Sequence, residues 1–367
     1  MSDDYISIAS PQLGDEERDR IGDVIESGII ADGPEVRGFE REFADYCGAD
    51  HGVATSNGTT ALHAALHALD IGPGDRVLTT PFTFIATANA VTFTGADVGF
   101  VDIDPRTYNL DPDALEARLR AGEQVDAVIA VHLYGLPADM TRLGELAETY
   151  DFALVEDAAQ AHGAAVEGKR VGSFGDAACF SFYPTKNMTT SEGGMITTNS
   201  ADVAERAARF VDHGRVSGYE HAEVGHNFRM TSIAAAIGRI QLGRLPGFTR
   251  ARQANAAALT DYLEDAPVTT PDTPPDRTHV FHQYTVECDG VERDALKSYL
   301  DGKGIATGVY YPKPVHKQAA YEHLSVSAPV AENAARRVLS LPVHPALSDS
   351  DIERIGRAVA DYAGVVT

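Results

Sequence analysis

Apolar and polar positions along the chain fall into two alternating regimes. Residues 15–27 carry a helical pattern: Asp15, Glu16 and Glu17 open it at the positive end of the dipole, Ile21, Val24 and Ile25 share a face, and Gly28 ends it. GIIADGPEV reads as a loop, and the helical pattern resumes from Val36 to Tyr46. From about residue 52 to 200 short apolar runs alternate with amphipathic stretches. The strand candidates are RVLTT, VGFVDI, AVIAVHLYG, ALVEDA, ACFSFY and GMITT. Between them, Leu62, Ala65, Leu66 and Leu69 form one apolar stripe, and Leu143, Leu146 and Ala147 another. Such alternation predicts an α/β fold with a mostly parallel sheet. The connection from ACFSFY to GMITT, about eleven residues, is too short for a helical crossover and predicts an antiparallel pair.

After Phe210 the pattern predicts helix through about Glu264. APVTTPDTPPDRT then reads as a connecting loop. Beyond it, strands (VFHQYTVEC, ATGVYYP) and helices (292–302, 328–338, 349–363) predict a smaller α+β domain. The expected division is a large domain over 1–248, with an N-terminal helical segment, and a small C-terminal domain over 249–367.

Charge narrows the classes of partner. The 367 residues include 54 acidic and 30 basic side chains, a formal net of −24, and only six of the basic ones are Lys. Such a surface argues against nucleic acid and anionic membranes as partners, though not against a local basic pocket. Acid excess with few lysines also fits adaptation to high salt, where a Debye length of about 3 Å screens carboxylate repulsion. An acidic protein of ordinary habitat is the alternative. Cys47, Cys179 and Cys288 form no CxxC pair and no metal-ligand spacing, so no metal is expected and buried free thiols in a reducing compartment are. MSDDYISIAS lacks the basic and apolar regions of a signal peptide, and no apolar run approaches the roughly 20 residues that span a bilayer. The expectation is a soluble, cytoplasmic protein.

Three segments at predicted strand ends carry the candidate chemistry: SNGTTAL (56–62), VEDAAQAHGA (155–164) and FSFYPTKN (180–187). In an open α/β sheet such ends converge on one crevice. Lys186 is either a solvated lysine or one held in a dry pocket, where a lowered pKa suits it to form a Schiff base. Asp157, emerging from an apolar run, either caps a helix or faces a cation. SNGTTAL either caps its helix through Ser56 or Asn57, or offers free N–H groups at Gly58, Thr59 and Thr60 to an anion, with Ser181 adding a hydroxyl. Phe84 is either core or a face for a flat ring. Neither GxxxxGK[ST] nor GxGxxG occurs.

Together these segments resemble the DegT/DnrJ/StrS family of sugar aminotransferases. The resemblance runs nearly the whole chain, through GIIADGPEVRGFEREFADYCGADHGVATSNGTTALHAAL, IGPGDRVLTTPFTFIATANAV, GFVDIDPRTYNLDP, VEDAAQAHGA, SFYPTKNMTTSEGGMITTN, GHNFRMTSIAAAIG and YYPKPVHKQAAY. It implies a pyridoxal 5'-phosphate (PLP) enzyme of fold type I, aspartate aminotransferase-like, that aminates keto-sugars, usually nucleotide-linked. By motif position, Lys186 would be the Schiff-base lysine and Asp157 the partner of the pyridine nitrogen. Gln160 would contact the phenolic-oxygen side, Gly58, Thr59, Thr60 and Ser181 would hold the phosphate, and Phe84 would stack on the ring. Asn227 would reach the phosphate of a neighbouring subunit, which implies a homodimer with shared sites. His162, Tyr183, Arg229, Tyr311 and His316 fall in segments on the substrate side.

Some members carry His at the lysine position and act as dehydratases; Lys186 favours transamination. The implied cycle is ping-pong, from an amino acid donor such as glutamate to a keto-sugar acceptor in amino-sugar or polysaccharide biosynthesis. YYPKPVHKQAAY leans toward amination at C3 rather than C4. A cyclitol (inosose-type) aminotransferase shares the same motifs, and a PLP-binding regulator without turnover is the reading from another class.

Overall fold

The computed structural model describes residues 5–366, with side-chain burial described through 362. Its centre is a seven-stranded sheet. Across it the strands run His51–Thr55, Gly194–Thr198, Ala177–Ser181, Ala153–Asp157, Ala127–Val131, Arg76–Thr79 and Asp97–Phe100. Six strands point the same way and Gly194–Thr198 alone is reversed, antiparallel to both neighbours. The expected antiparallel pair is therefore present, with Ser181 opposite Gly194. The edge strand His51–Thr55 is the one whose end SNGTTAL marks, although HGVAT, short and weakly apolar, is not among the named strand candidates.

Both faces of the sheet are covered, and the strand residues divide with period two. Ala127 and Ile129 pack with the helices Gly58–Ala68, Ala86–Thr94 and Ala201–Val211. Val128 and Ala130 pack on the other face with Pro112–Arg120 and Met140–Tyr150. There the helix Pro34–Cys47 also contributes Val36, Phe39 and Phe43 against Phe180 and Phe182. Burial on both faces explains why the central strands read as unbroken apolar runs. Cys47, Cys179 and Cys288 are free and buried, and burial pushes their thiol pKa values up.

The expectation of helix from Phe210 to Glu264 needs correction. The helix Ala201–Val211 stops, and a hairpin of Arg215–Ser217 with Glu220–His221 intervenes. Gly214 and Gly218 both have positive φ, and a Cβ on Gly214 would lie 1.9 Å from the Glu223 carbonyl oxygen. Helix returns only at Ser232–Tyr262, where the Thr231 hydroxyl accepts from the Ala234 N–H. This helix runs unbroken past residue 248. Ala235, Leu242 and Leu245 pack in the Phe39–Phe180 cluster, whereas Ala256 and Leu259 belong to a second core with Tyr284, Val286, Leu339, Leu341 and Ile355. Ile6, near the N-terminus, also packs in that second core.

In the C-terminal part the helices Arg293–Gly302, Pro329–Arg337 and Asp349–Val366 occur where the pattern places them. The strands differ. VFHQYTVEC contributes Tyr284–Glu287, paired antiparallel with Val338–Leu341, a strand that VLSL hides by lacking alternation. ATGVYYP forms no strand among the described residues: Gly308 bridges Ser340, and the chain then turns away so that Tyr310 and Tyr311 line a cavity. A three-stranded sheet of Ala165–Val166, Lys169–Arg170 and Arg277–Thr278 was also not foreseen. No helix among the described residues is long and apolar enough to cross a membrane.

Candidate active site

The C-terminal ends of the six co-directed strands share one edge of the sheet, and a cavity of about 680 Å³ opens there. Gly58, Thr59, Thr60, Phe84, Asp157, Gln160, Ser181, Tyr183, Lys186 and Tyr311 line it. Ten positions from five separate segments thus meet at one site.

Asp157 ends its strand nearly buried, with 6% exposure. Its Oδ2 accepts from the Thr87 hydroxyl at 2.8 Å, and the Thr83 hydroxyl lies 3.0 Å from that of Thr87. Its Oδ1 accepts from the Ala159 N–H at 3.2 Å. Burial raises its pKa against the opposing pull of these bonds and of Lys186. The neighbouring Glu156 points to the other face. It is fully buried and accepts from Gly172, Phe174 and Gly175 N–H groups and from His132 Nε2 at 3.0 Å. These donors hold it below the usual carboxylate range despite burial.

Lys186 sits in the loop joining the Ala177–Ser181 and Gly194–Thr198 strands. Burial lowers its pKa to about 8, although Asp157 pulls the other way. At a pKa of about 8, roughly a tenth of this amine is unprotonated at pH 7, which supplies the neutral form that an amine nucleophile or proton carrier needs.

At the opposite wall the helix Gly58–Ala68 points its N-terminus into the cavity. The Asn57 side chain accepts from the Thr60 N–H at 3.0 Å, and the Thr60 hydroxyl accepts from the Asn57 N–H at 3.1 Å. Of the two readings of SNGTTAL, capping through Asn57 is present: the Thr60 N–H is taken by the cap, leaving Gly58 and Thr59 at the helix mouth. Gly58 is required there, because a Cβ would lie 2.7 Å from Ser181 Cβ. The helix dipole and the Ser181 hydroxyl thereby converge on one anion-sized corner.

Gln160 and Tyr311 close another side. Gln160 accepts from the Tyr134 N–H at 2.7 Å and donates to the Tyr311 hydroxyl at 3.1 Å. Phe84, 57% exposed, presents its ring to the cavity 6.1 Å from that of Tyr311.

Four expected residues stand elsewhere. His162 is buried among the rings of Phe43, Phe180 and Phe182, and burial lowers its pKa to about 3. His316 is buried with Nε2 3.0 Å from Glu332. Arg229 pairs with Asp212 at 2.5 Å. Asn227 is exposed and bridges Asp212 through backbone, without lining its own chain's cavity. Conversely, sequence reasoning missed Thr83, Thr87, Glu192, His282, Gln283 and Tyr310, which line the cavity. Thr83 and Thr87 stood inside the quoted TTPFTFIATANAV, where a hydroxyl pair four residues apart was the available signal.

The chain belongs to the DegT/DnrJ/EryC1/StrS aminotransferase family, whose sequence model matches residues 11–360. It is a PLP-dependent aminotransferase. It is 40% identical over 349 residues to UDP-N-acetyl-3-dehydro-alpha-D-glucosamine 3-aminotransferase of Acidithiobacillus ferrooxidans, covering 95% of this chain and 94% of that one. A pleiotropic regulatory protein of Geobacillus stearothermophilus is 41% identical over 349 residues, covering 93% of each. Among solved structures, DesV of S. venezuelae in complex with a ketimine intermediate superposes with a TM-score of 0.91 at 41% identity, covering 95% of this chain and 94% of that one.

The residues present fit PLP. The corner that a Cβ on Gly58 would fill, the buried carboxylate of Asp157 and the low-pKa amine of Lys186 face one volume of about 680 Å³, and each suits a different part of the cofactor.

Proposed function

We propose that this chain moves an amino group from an amino acid, glutamate in the first instance, to C3 of a nucleotide-linked keto-sugar during amino-sugar biosynthesis. The observation that carries the reading is Lys186, its pKa lowered to about 8, sharing one cavity with Asp157 and the Gly58 helix mouth. PLP bound there supplies an electron sink for the bond broken at the amino carbon.

The chain's own residues do the rest. Lys186 Nζ would hold the cofactor, and its amine would carry the proton that leaves the donor's α-carbon. Asp157 would partner the pyridine nitrogen and keep it protonated. Gly58, Thr59 and Ser181 hold the phosphate; Thr60 contributes by fixing the helix mouth through Asn57. Phe84 would cover the ring and Gln160 would meet its oxygen side. Tyr183, Tyr311 and Glu192 are left on the substrate side of the cavity.

Asn227, exposed and away from its own cavity, supports a homodimer in which it serves the partner's site. A division into 1–248 and 249–367 is supported by the two cores that meet along the helix Ser232–Tyr262, with Ile6 crossing into the second core and Val315 and Tyr321 into the first. The three buried free thiols support a reducing, cytoplasmic setting. The C3 position rests on the YYPKPVHKQAAY segment and on the position carried in the Acidithiobacillus relative's name.

The test mixes purified holoprotein with glutamate and follows the absorption band of the lysine-bound cofactor. The band disappears, and a 3-keto nucleotide sugar restores it faster than its 4-keto isomer. A faster return with the 4-keto sugar overturns the C3 assignment, and one with an inosose overturns the sugar assignment. The name of the Geobacillus relative favours a regulatory reading, and an inert spectrum with every acceptor would support it instead.

A further inference from the structure

Behind Lys186, which with Thr185 also lines the large cavity, lies a small one of about 20 Å³. That volume suits a single water-sized occupant. Ser10, Lys186, Asn187, Thr189, Gln241 and Arg252 contribute to its wall.

Arg252 is the unusual member. It rises from the middle of the helix Ser232–Tyr262 and is 5% exposed. Nη1 donates to the carbonyl oxygens of Phe281 at 3.1 Å and His282 at 3.4 Å, while Nε is buried without a partner. No carboxylate offsets it; burial alone lowers its pKa, to about 10. The titratable groups that feel its charge are His162, His282 and His344, each pushed further toward the neutral form. A guanidinium removed from water without a counter-charge is strongly disfavoured, so something of opposite sign is called for.

Most of the neutral donors in the wall are already engaged. The Asn187 amide donates to Val280 O at 3.0 Å and the Thr189 hydroxyl to Phe182 O at 2.8 Å. The Gln241 amide donates to Gln12 O and to Glu17 Oε1. Glu17 itself accepts from the Gly14 N–H and pairs with Arg244. What remains for an occupant is the Arg252 guanidinium, the second Asn187 amide hydrogen, the Thr185 hydroxyl and the Ser10 hydroxyl, whose oxygen accepts from Gln12. Donors of that charge select an anion over water, and the volume selects a monatomic one.

We propose that the cavity behind Lys186 binds one small monovalent anion of the halide class, with chloride the physiological member, through Arg252 and Ser10. When Lys186 is engaged in front, Arg252 still lacks a counter-charge, so the site is a property of the holoenzyme. The proposal does not depend on which sugar is aminated.

Bromide is the probe. Holoenzyme crystals grown without halide and soaked in sodium bromide should show an anomalous peak in contact with Arg252 and Ser10. A density at that point without anomalous signal means water and overturns the proposal. In solution, chloride-35 line broadening by the holoenzyme, titrated against gluconate at fixed ionic strength, should saturate. In Arg252→Met the apparent affinity should fall by at least about tenfold, as expected when one partner of a desolvated charge pair is removed, and Arg252→Lys should retain part of it. Unchanged saturable broadening in a folded Arg252→Met protein also overturns the assignment. Should that variant not fold, the bromide map on the unaltered protein decides.

Discussion

The Thr87 hydroxyl donates a 2.8 Å hydrogen bond to Asp157 Oδ2, from a helix seventy residues earlier in the chain. With that hydrogen committed, Thr83 is the donor in the 3.0 Å contact between the two hydroxyls. Both threonines are nearly buried, so the relay is held in a dry wall and aims the carboxylate. Burial raises the Asp157 pKa while the Thr87 bond opposes it. Thr87→Val should therefore raise it further and weaken the carboxylate's hold on a protonated ring nitrogen. The expected result is a fall in kcat of about tenfold, the equivalent of one hydrogen bond of about 1.4 kcal/mol. Thr87→Ser should recover most of it, and equilibrium dialysis should show weaker PLP retention only in the Val variant.

Lys186→Ala should keep its fold and bind PLP noncovalently, but lose turnover by a factor on the order of 10⁴ or more. In the cofactor-free protein the pH dependence of amine labelling reports the group directly. With a pKa of about 8, half-maximal labelling of Lys186 falls near pH 8. The linkage sign follows. Because the folded pKa lies below the unfolded one, the cost of charging this amine is full below pH 8 and fades as pH rises toward 10.5. On this group's account the cofactor-free protein gains stability across that window, and a Lys186→Ala protein should not.

Gly58→Ala places a methyl 2.7 Å from Ser181 Cβ, 3.3 Å from its Oγ and 3.4 Å from its Cα. The expected cost is about 1–3 kcal/mol of stability, with a loss of PLP affinity as the helix mouth is pushed back. Adding Ser181→Gly removes the first two contacts. Thermal denaturation of the double variant should recover part of the lost stability, while PLP affinity stays low because the hydroxyl is gone.

Glu156→Gln should destabilise by about 3 kcal/mol or more at neutral pH. The amide brings two hydrogens toward the N–H groups of Gly172, Phe174 and Gly175, and one oxygen cannot satisfy all four donors. Since the folded pKa is depressed, the carboxylate's contribution is present above the ordinary value and is lost as pH falls through the folded one. Urea midpoints of the two proteins should therefore converge in acid.

The net charge of −24 predicts that the melting temperature rises with sodium chloride toward molar concentration, as screening relieves carboxylate repulsion. A maximum in low-salt buffer would remove the case for a salt-adapted surface.

Most of the large domain and the cavity's principal residues are legible in the sequence. Lys186, Asp157 and Gly58 stand at strand ends, and strand ends of one parallel sheet share an edge, so order along the chain was enough to bring them together. Direction of side chains was not legible. In VEDAAQAHGA, Asp157 and Gln160 line the cavity, but the chain turns at Gly163, whose φ is positive, and His162 is turned among Phe43, Phe180 and Phe182. His316 was drawn inward by Glu332, a partner sixteen residues on. Thr60 looked like an open donor because a helix mouth and a capped helix share the same residues; only the Asn57 bonds distinguish them. The hairpin after Val211 was hidden because GRVSGYE between two helical stretches has glycines that a periodicity count passes over.

The single reversed strand, Gly194–Thr198, does more than complete a ladder. By running backward between two co-directed strands it returns the chain to the edge it left, so both anchors of the Lys186 loop are fixed on that edge. Phe182 and Gly193 still bond to each other at 2.8 Å above the last ladder pair. Moving the loop as a whole would mean unzipping pairs with Ala177–Ser181 on one side and His51–Thr55 on the other. The amine can therefore swing through its own side-chain torsions while its backbone stays anchored, a tethered arm on a fixed post rather than a moving lid.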